Sequence, residues 1–147
     1  MSNLKTMNRA PTTQELFARY HVGWETRDPN LIASLHSEDT TFWMHDGSKP
    51  VHGREALREH CVGLFAAYKF VFEPGRTIYG DDHWVFEYAM VLDLTDKAGV
   101  PFKAKVDMVD VMTVDKVGLV TRKDVYMDVA QTRAAFDRAG IDRGASH

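Results

Sequence analysis

Cysteine is almost absent: Cys61 stands alone in 147 residues. One thiol cannot form an internal disulfide and cannot build a cysteine-based zinc site. It suits a reducing compartment, so the cytoplasm is the expected location. Long apolar runs are missing too. No stretch approaches the ~18 uninterrupted apolar residues of a membrane-spanning helix. Residues 1–11 lack the apolar segment of a secretory signal. There is no basic excess. The chain has 18 Lys and Arg against 21 Asp and Glu, a formal net charge of −3. A nucleic-acid binder would show a basic stripe, so that partner class is excluded. Repeats and low-complexity tracts are also lacking.

What is present is a globular composition. The hydrophobic fraction of 44% and charged fraction of 27% are too apolar and too balanced for a disordered chain. The length makes one domain. That domain is expected over residues 12–139, between an N-terminal tail at 1–11 and a C-terminal tail at 140–147.

The hydrophobic period changes once along the chain. Thr12 and Glu15 have capping-box spacing, and Leu16, Tyr20 and Trp24 then recur on one helical face. Asp28-Pro29 reads as an N-cap and first helical residue, followed by Leu31, Ile32 and Leu35. A strand is expected over Thr40–His45 and a helix over Arg54–Tyr68. From Lys69 the pattern becomes that of strands. Lys69–Phe72 and Thr77–Tyr79 flank a bend at Pro74-Gly75. His83–Leu94 alternates with Trp84, Phe86, Tyr88, Met90 and Leu92 on one face. Asp96–Gly99 and Asp115–Gly118 are turns between this strand, Phe102–Val114 and Leu119–Asp128. A short helix over Thr132–Ala139 ends at Gly140. Helices first and meander strands after them define an α+β class. The expected form is a cone-shaped barrel, with the N-terminal helices packed in a curved antiparallel sheet and a ligand pocket inside it.

This order resembles the nuclear-transport-factor-2-like superfamily, and within it the SnoaL-like polyketide cyclases and ketosteroid isomerases. The residues that carry the resemblance are Arg19-Tyr20, Leu35 through Thr41, the Gly47–Pro50 turn with Gly53, and Val109-Asp110. It covers about residues 12–128. The resemblance implies that Tyr20 and Asp110 are two hydrogen-bond donors to a developing oxyanion. It places Met44 where those isomerases carry their catalytic aspartate, and a methionine accepts no proton. It also implies a homodimer formed through the outside of the sheet.

The residues can be weighed on their own as well. Asp110 shares strand parity with Phe102, Ala104, Val106, Met108, Met112 and Val114, so its carboxyl points into apolar space. Burial raises the pKa of such a group and can keep it neutral, able to donate. Tyr20 reads equally as a core tyrosine. Asp46, on the parity of Met44, and the adjacent His45 are the substitute proton acceptors, although an aspartate before glycine commonly just opens a turn. Trp24, Met44, Phe86, Tyr88, Met108 and Met112 are the expected ligand-binding surface. Asp124 and Asp128 lie in the last strand, where epoxide hydrolases of the superfamily carry an acidic residue. The scattered histidines show no metal-ligand spacing, so no metal is expected.

Two functions stand at this point. One is a cofactor-free isomerase, cyclase or dehydratase that acts on an apolar carbonyl compound of polyketide or steroid type through an enolate. Acid–base chemistry of that kind implies no cofactor. The other is a non-catalytic ligand-binding or dimerisation module of the same fold.

Overall fold

Thr12 starts the first element. Its side chain accepts from the Glu15 backbone N–H at 3.2 Å, and Glu15 reaches back to the Thr12 N–H at 3.3 Å, closing the expected capping box. Helix α1 (Thr13–Glu25) buries Leu16, Tyr20 and Trp24 on one face. Asp28 caps α2 (Pro29–Ser34) through the N–H groups of Asn30 and Leu31. Between them Arg27 adopts φ +53°. Its guanidinium donates to the carbonyls of Phe65 and Tyr68, both at 2.7 Å, and so ties the α1–α2 corner to the end of α3 (Arg54–Ala67).

The computed structural model describes residues 10–142. Apart from residues 10, 11 and 140–142, the expected tails lie outside that range. Six strands form one sheet in the order β2-β1-β6-β5-β4-β3. They are β1 (His36–Met44), β2 (Val51–His52), β3 (Lys69–Tyr79), β4 (His83–Thr95), β5 (Pro101–Val114) and β6 (Val120–Met127). Helix α4 (Val129–Ala139) follows, capped by Asp128 and closed by Gly140 at φ +73°. No helix among the described residues is long and apolar enough to cross a membrane.

Four expectations need correction. The sheet is mixed, because β1 runs parallel to β6 while the other pairs are antiparallel. Meander turns join neighbours from β3 to β6, but β1 is far from β6 in sequence and no hairpin dictates their direction. Strand β1 starts at His36 rather than Thr40, with a register shift between His36 and Thr41 that hides the alternation. The two-residue β2 was not legible at all. Helix α4 begins three residues before Thr132, because Asp128 supplies the cap.

The inward face of the sheet carries three rows. Trp84, Met112, Lys123 and Phe42 are successive cross-strand partners. Phe86, Asp110, Val125 and Met44 form the second row, and Tyr88, Met108 and Met127 the third. The helices cover this face, and Trp84, Met112 and Leu57 are almost wholly buried. Pro74-Gly75 is the expected irregularity in β3, with a register shift between Pro74 and Thr77.

That shift depends on Gly75. A Cβ there would sit 2.7 Å from the backbone oxygen of Glu87 on the facing strand. Gly75→Ala is expected to cost about 1–3 kcal/mol, because backbone must move to admit the methyl group. Urea unfolding measures this; an unchanged midpoint would mean that the bulge has room to spare.

Candidate functional site

The second inward row places Asp110 in the core with 6% of its surface exposed, and the row beside it places Lys123 at 3%. Lys123 Nζ lies 3.6 Å from Asp110 Oδ2. It lies 3.4 Å from the Tyr20 hydroxyl and 4.0 Å above the Trp24 ring. On the far side, Tyr88 donates to Asp110 Oδ1 at 2.8 Å. The chain of contacts continues from the Tyr20 hydroxyl to His36 Nε2 at 2.9 Å, and from His36 Nδ1 to Thr40 Oγ1 at 2.8 Å. Thr40 ends it by donating to the Val120 carbonyl at 3.1 Å. Arg54 holds the backbone of His36 by two bonds to its carbonyl, at 2.8 and 2.9 Å.

The electrostatics follow from burial and from this one cation. Burial pushes the Asp110 carboxyl above the usual carboxylate range, against the pull of Lys123 and the Tyr88 hydroxyl. Burial drives the Lys123 ammonium down, but Tyr20 and Asp110 outweigh it and leave the group raised. Burial also raises Tyr20, opposed by Lys123 and by the Trp24 indole, although that N–H lies beyond hydrogen-bond reach. Tyr88 stands well above its ordinary value through burial and the Asp110 charge. His36 falls to about 3 through burial, with Lys123 and Arg54 adding to the effect. Burial raises Cys61 to about 11, so its thiol is inert. Asp110 and Lys123 therefore form a charged pair, since a buried ammonium needs a counter-charge.

Side chains of Phe17, Tyr20, His21, Trp24, Phe72, Trp84 and Phe86 close over Asp110 and Lys123, leaving about 10 Å³. That is the room of one water. A vestibule of about 380 Å³ between α1 and β3 shares His21, Trp24 and Phe72 with this inner cleft. His21 and Glu25 pair at 3.2 Å on the α1 side of its entrance. The three shared rings thus separate the vestibule from the charged pair.

The expected site residues divide. Tyr20, Asp110, Trp24 and Phe86 come together at the cleft, and Tyr88 stands directly behind Asp110. Met44, Met108 and Met112 face the same side of the sheet but do not line the cleft. His45 is elsewhere. It pairs with Asp124 Oδ1 at 2.8 Å and stacks on Tyr126 at 4.2 Å on the outer face of the sheet. Arg122 holds the same carboxylate at 2.7 and 3.0 Å. Asp46 opens its turn by accepting from the Ser48 N–H at 3.0 Å. It lines a separate shallow cleft of about 600 Å³ beside α4 with Lys97, Arg133 and Asp137. That cleft is larger, but its Lys97, Arg133 and Asp137 are exposed, so it holds no buried charge pair. Asp128 is the cap of α4. Among the described residues no three His, Cys, Asp or Glu side chains converge as metal ligands.

Lys123 is the functional candidate that sequence reasoning missed. It shares strand parity with Val125 and Met127, and that was the available signal. Phe17, His21 and Phe72 were also missed, because their contacts arise only when α1 meets β3 and β4.

Helices packed over a curved mixed sheet, with a polar cluster buried beneath them, define the class: an α+β cone with an interior site. The chain belongs to the SnoaL-like domain family, whose model matches residues 17–123. Solved structures share the fold. A hypothetical protein of ketosteroid isomerase-like fold from Catenulispora acidiphila, in complex with trimethylamine, superposes with a TM-score of 0.72 at 17% identity, covering 87% of this chain and 94% of that one. A Shewanella denitrificans protein described as a SnoaL-like polyketide cyclase gives 0.73 at 13% identity, covering 84% and 96%. SalBIII, an epoxide hydrolase/cyclase-like enzyme of pyran ring formation in the polyether salinomycin, gives 0.67 at 23% identity, covering 80% and 92%. No curated protein matches by sequence.

Two outcomes are expected from this geometry. Lys123→Met leaves Asp110 as an unpaired buried charge and should cost about 3–5 kcal/mol, while Lys123→Met with Asp110→Leu should recover most of the loss. Chemical denaturation of the three proteins checks this, and a double variant as unstable as the single one would contradict it. The second outcome concerns pH. His36 titrates near 6.5 when unfolded and about 3 when folded. The unfolded chain therefore binds more protons across that window, and stability falls as pH drops from 6.5 towards 3. The His36 contribution is about 4–5 kcal/mol at neutral pH, offset in part by Asp110, whose raised pKa acts in the opposite direction. Urea unfolding between pH 7 and 4 should show the decline in the wild type and a flatter profile in His36→Leu.

Proposed function

We propose that this protein is a cofactor-free enzyme that moves a proton next to the carbonyl of a compact, largely apolar compound, through an enolate. One observation carries the reading: a desolvated carboxylate, Asp110, stands beside an ammonium in an aromatic-lined inner cleft. Raised basicity suits a carboxylate to accept a proton from carbon, and a fixed positive charge next to it favours the oxyanion that results. Asp110 is then the proton acceptor. It takes the place that Met44 cannot fill and that Asp46 and His45 do not reach. Lys123, with Tyr20 beside it, stands where the oxygen would be met. Trp24, Phe72 and Phe86 supply the apolar walls, and their rings suit a flat substrate. Isomerisation, aldol cyclisation and dehydration all share this enolate. The family membership supports the small-molecule reading, as does the trimethylamine complex of the Catenulispora relative. Val71 and Tyr126, exposed on the outer sheet face, support a homodimer there. A cytoplasmic location fits the single thiol.

A second reading, a non-catalytic ligand-binding or dimerisation module, is favoured by one fact. The inner cleft holds only about 10 Å³, so its rings must part before any substrate reaches Asp110.

Proton exchange separates the two. A panel of enolisable aryl ketones and β-diketones in D2O, followed by NMR, should show enzyme-dependent loss of α-protons from at least one member. Asp110→Asn should slow that exchange by about a hundredfold or more, the range expected for a positioned base. Exchange at the buffer rate for every compound would sink the enzymatic reading and leave the binding module.

A further inference from the structure

The direction of the buried hydrogen bonds can be worked out from its far end. Thr40 has one hydroxyl proton and donates it to the Val120 carbonyl at 3.1 Å. Thr40 Oγ1 must therefore accept from His36 Nδ1 at 2.8 Å, so the imidazole proton sits on Nδ1. The ring carries only that one proton, because burial holds its pKa down at about 3. Its Nε2 is a lone pair, and Tyr20 donates to it across 2.9 Å. With its proton committed there, the Tyr20 oxygen can only accept, and its partner on the cleft side is the Lys123 ammonium at 3.4 Å. Lys123 has three N–H bonds; its polar neighbours are Tyr20 at 3.4 Å and Asp110 at 3.6 Å, and the Trp24 ring lies 4.0 Å away, so no polar side chain claims the third N–H and a ligand oxygen can take it from the ring.

We propose that Lys123, not Tyr20, meets the oxygen of the bound compound, and that Tyr20, oriented by His36 and Thr40, is the positioning residue that holds the ammonium in place. The proposal rests on the enolate reading above. The Asp110 carboxylate takes a proton from the carbon next to the carbonyl. The electron pair of that C–H bond becomes the enolate double bond, and the carbonyl π pair moves onto oxygen. The Lys123 ammonium balances the new charge and keeps its own proton. Return of the proton from Asp110 to a different carbon completes an isomerisation. The ligand class that follows is a phenol, enol or enolisable ketone on a flat apolar frame, bound with its oxygen anionic.

A naphthol tests this, since its phenolate absorbs differently from its phenol. At pH 7 the wild type should bind it as the phenolate. Lys123→Met should abolish the phenolate spectrum and weaken binding by at least about tenfold, as expected for a hydrogen bond to a charged group. Tyr20→Phe should keep the phenolate spectrum and weaken binding by only about threefold, since the lost bond is to a neighbour of the ligand. Asp110→Asn removes the competing anion while keeping the shape. It should bind the phenolate at least as tightly as the wild type, although it loses proton exchange. Should Lys123→Met fail to fold, the comparison of Asp110→Asn with Asp110→Asn/Lys123→Met replaces it, because the double variant has no unpaired buried charge. A phenolate spectrum that survives loss of Lys123 but vanishes in Tyr20→Phe would overturn this proposal and leave the enolate reading intact. A wild type that binds no phenolate would bring down both.

Discussion

A single buried cation organises the interior of this protein. Lys123 emerges from β6 between Phe42 and Met112 and ends among Trp24, Tyr20 and Asp110. Taking two ions out of water costs several kcal/mol each. At 3.6 Å, and with the effective dielectric that suits protein sites, their attraction returns only about 5 kcal/mol. The pair is therefore a poor device for stability, and well-packed hydrophobic residues would serve the core as well. Its position in a cleft that adjoins the vestibule, and not at an arbitrary point in the core, is what supports the proposed function.

The rest of the polar core follows from that cation. The Asp110 carboxylate sits next to it, and Tyr88 fills the other carboxylate oxygen. The neutral imidazole of His36 orients Tyr20 so that an oxygen lone pair and not a proton faces the ammonium. Arg54 and Thr40 then fix His36 from the backbone and from the ring. Each buried polar atom in this run has a partner, which is the condition for such a network to be tolerated. The aromatic lid completes it. Phe17, Phe72 and Phe86 keep water from screening the pair, and Phe72 stands on β3, at the edge of the sheet beside the Gly75 irregularity. Phe72, on the lid of the proposed site, thus stands on a strand with a neighbour on one side only.

Much of this was legible in the residues. Capping pairs, Asp28-Pro29 and the change of hydrophobic period located the helices and the meander strands, since these signals are local. Strand parity alone placed Asp110 on an apolar face. The long-range features were not legible. Parallel pairing of β1 with β6 joins segments some 80 positions apart, and no turn residue encodes it. Asp46 and His45 looked available as proton acceptors because they neighbour Met44 in sequence. The first is held by its own turn, and the second crosses to the opposite face of the sheet. Lys123 was hidden for a different reason. A lysine in a strand is read as solvent-facing unless parity is enforced, and the shift between Thr113 and Val114 breaks the alternation early in β6.

Strand β6 also accounts for why Asp110 and not Asp124 is the proposed proton acceptor. Its consecutive residues Lys123 and Asp124 project to opposite faces. Asp124 goes outward, where Arg122 and His45 together outweigh its partial burial and hold its carboxyl below the usual range. A carboxylate so well satisfied is a weak base, and a substrate would have to displace both Arg122 and His45 to use it. Asp110 goes inward, where burial raises it against the Lys123 cation and the Tyr88 hydroxyl. A raised carboxyl with a counter-charge 3.6 Å away is the combination on which the proposed proton transfer rests. The same alternation that sends Asp124 into a saturated surface cluster thus leaves Asp110 with a neighbour that can also receive the charge its own reaction would create on oxygen.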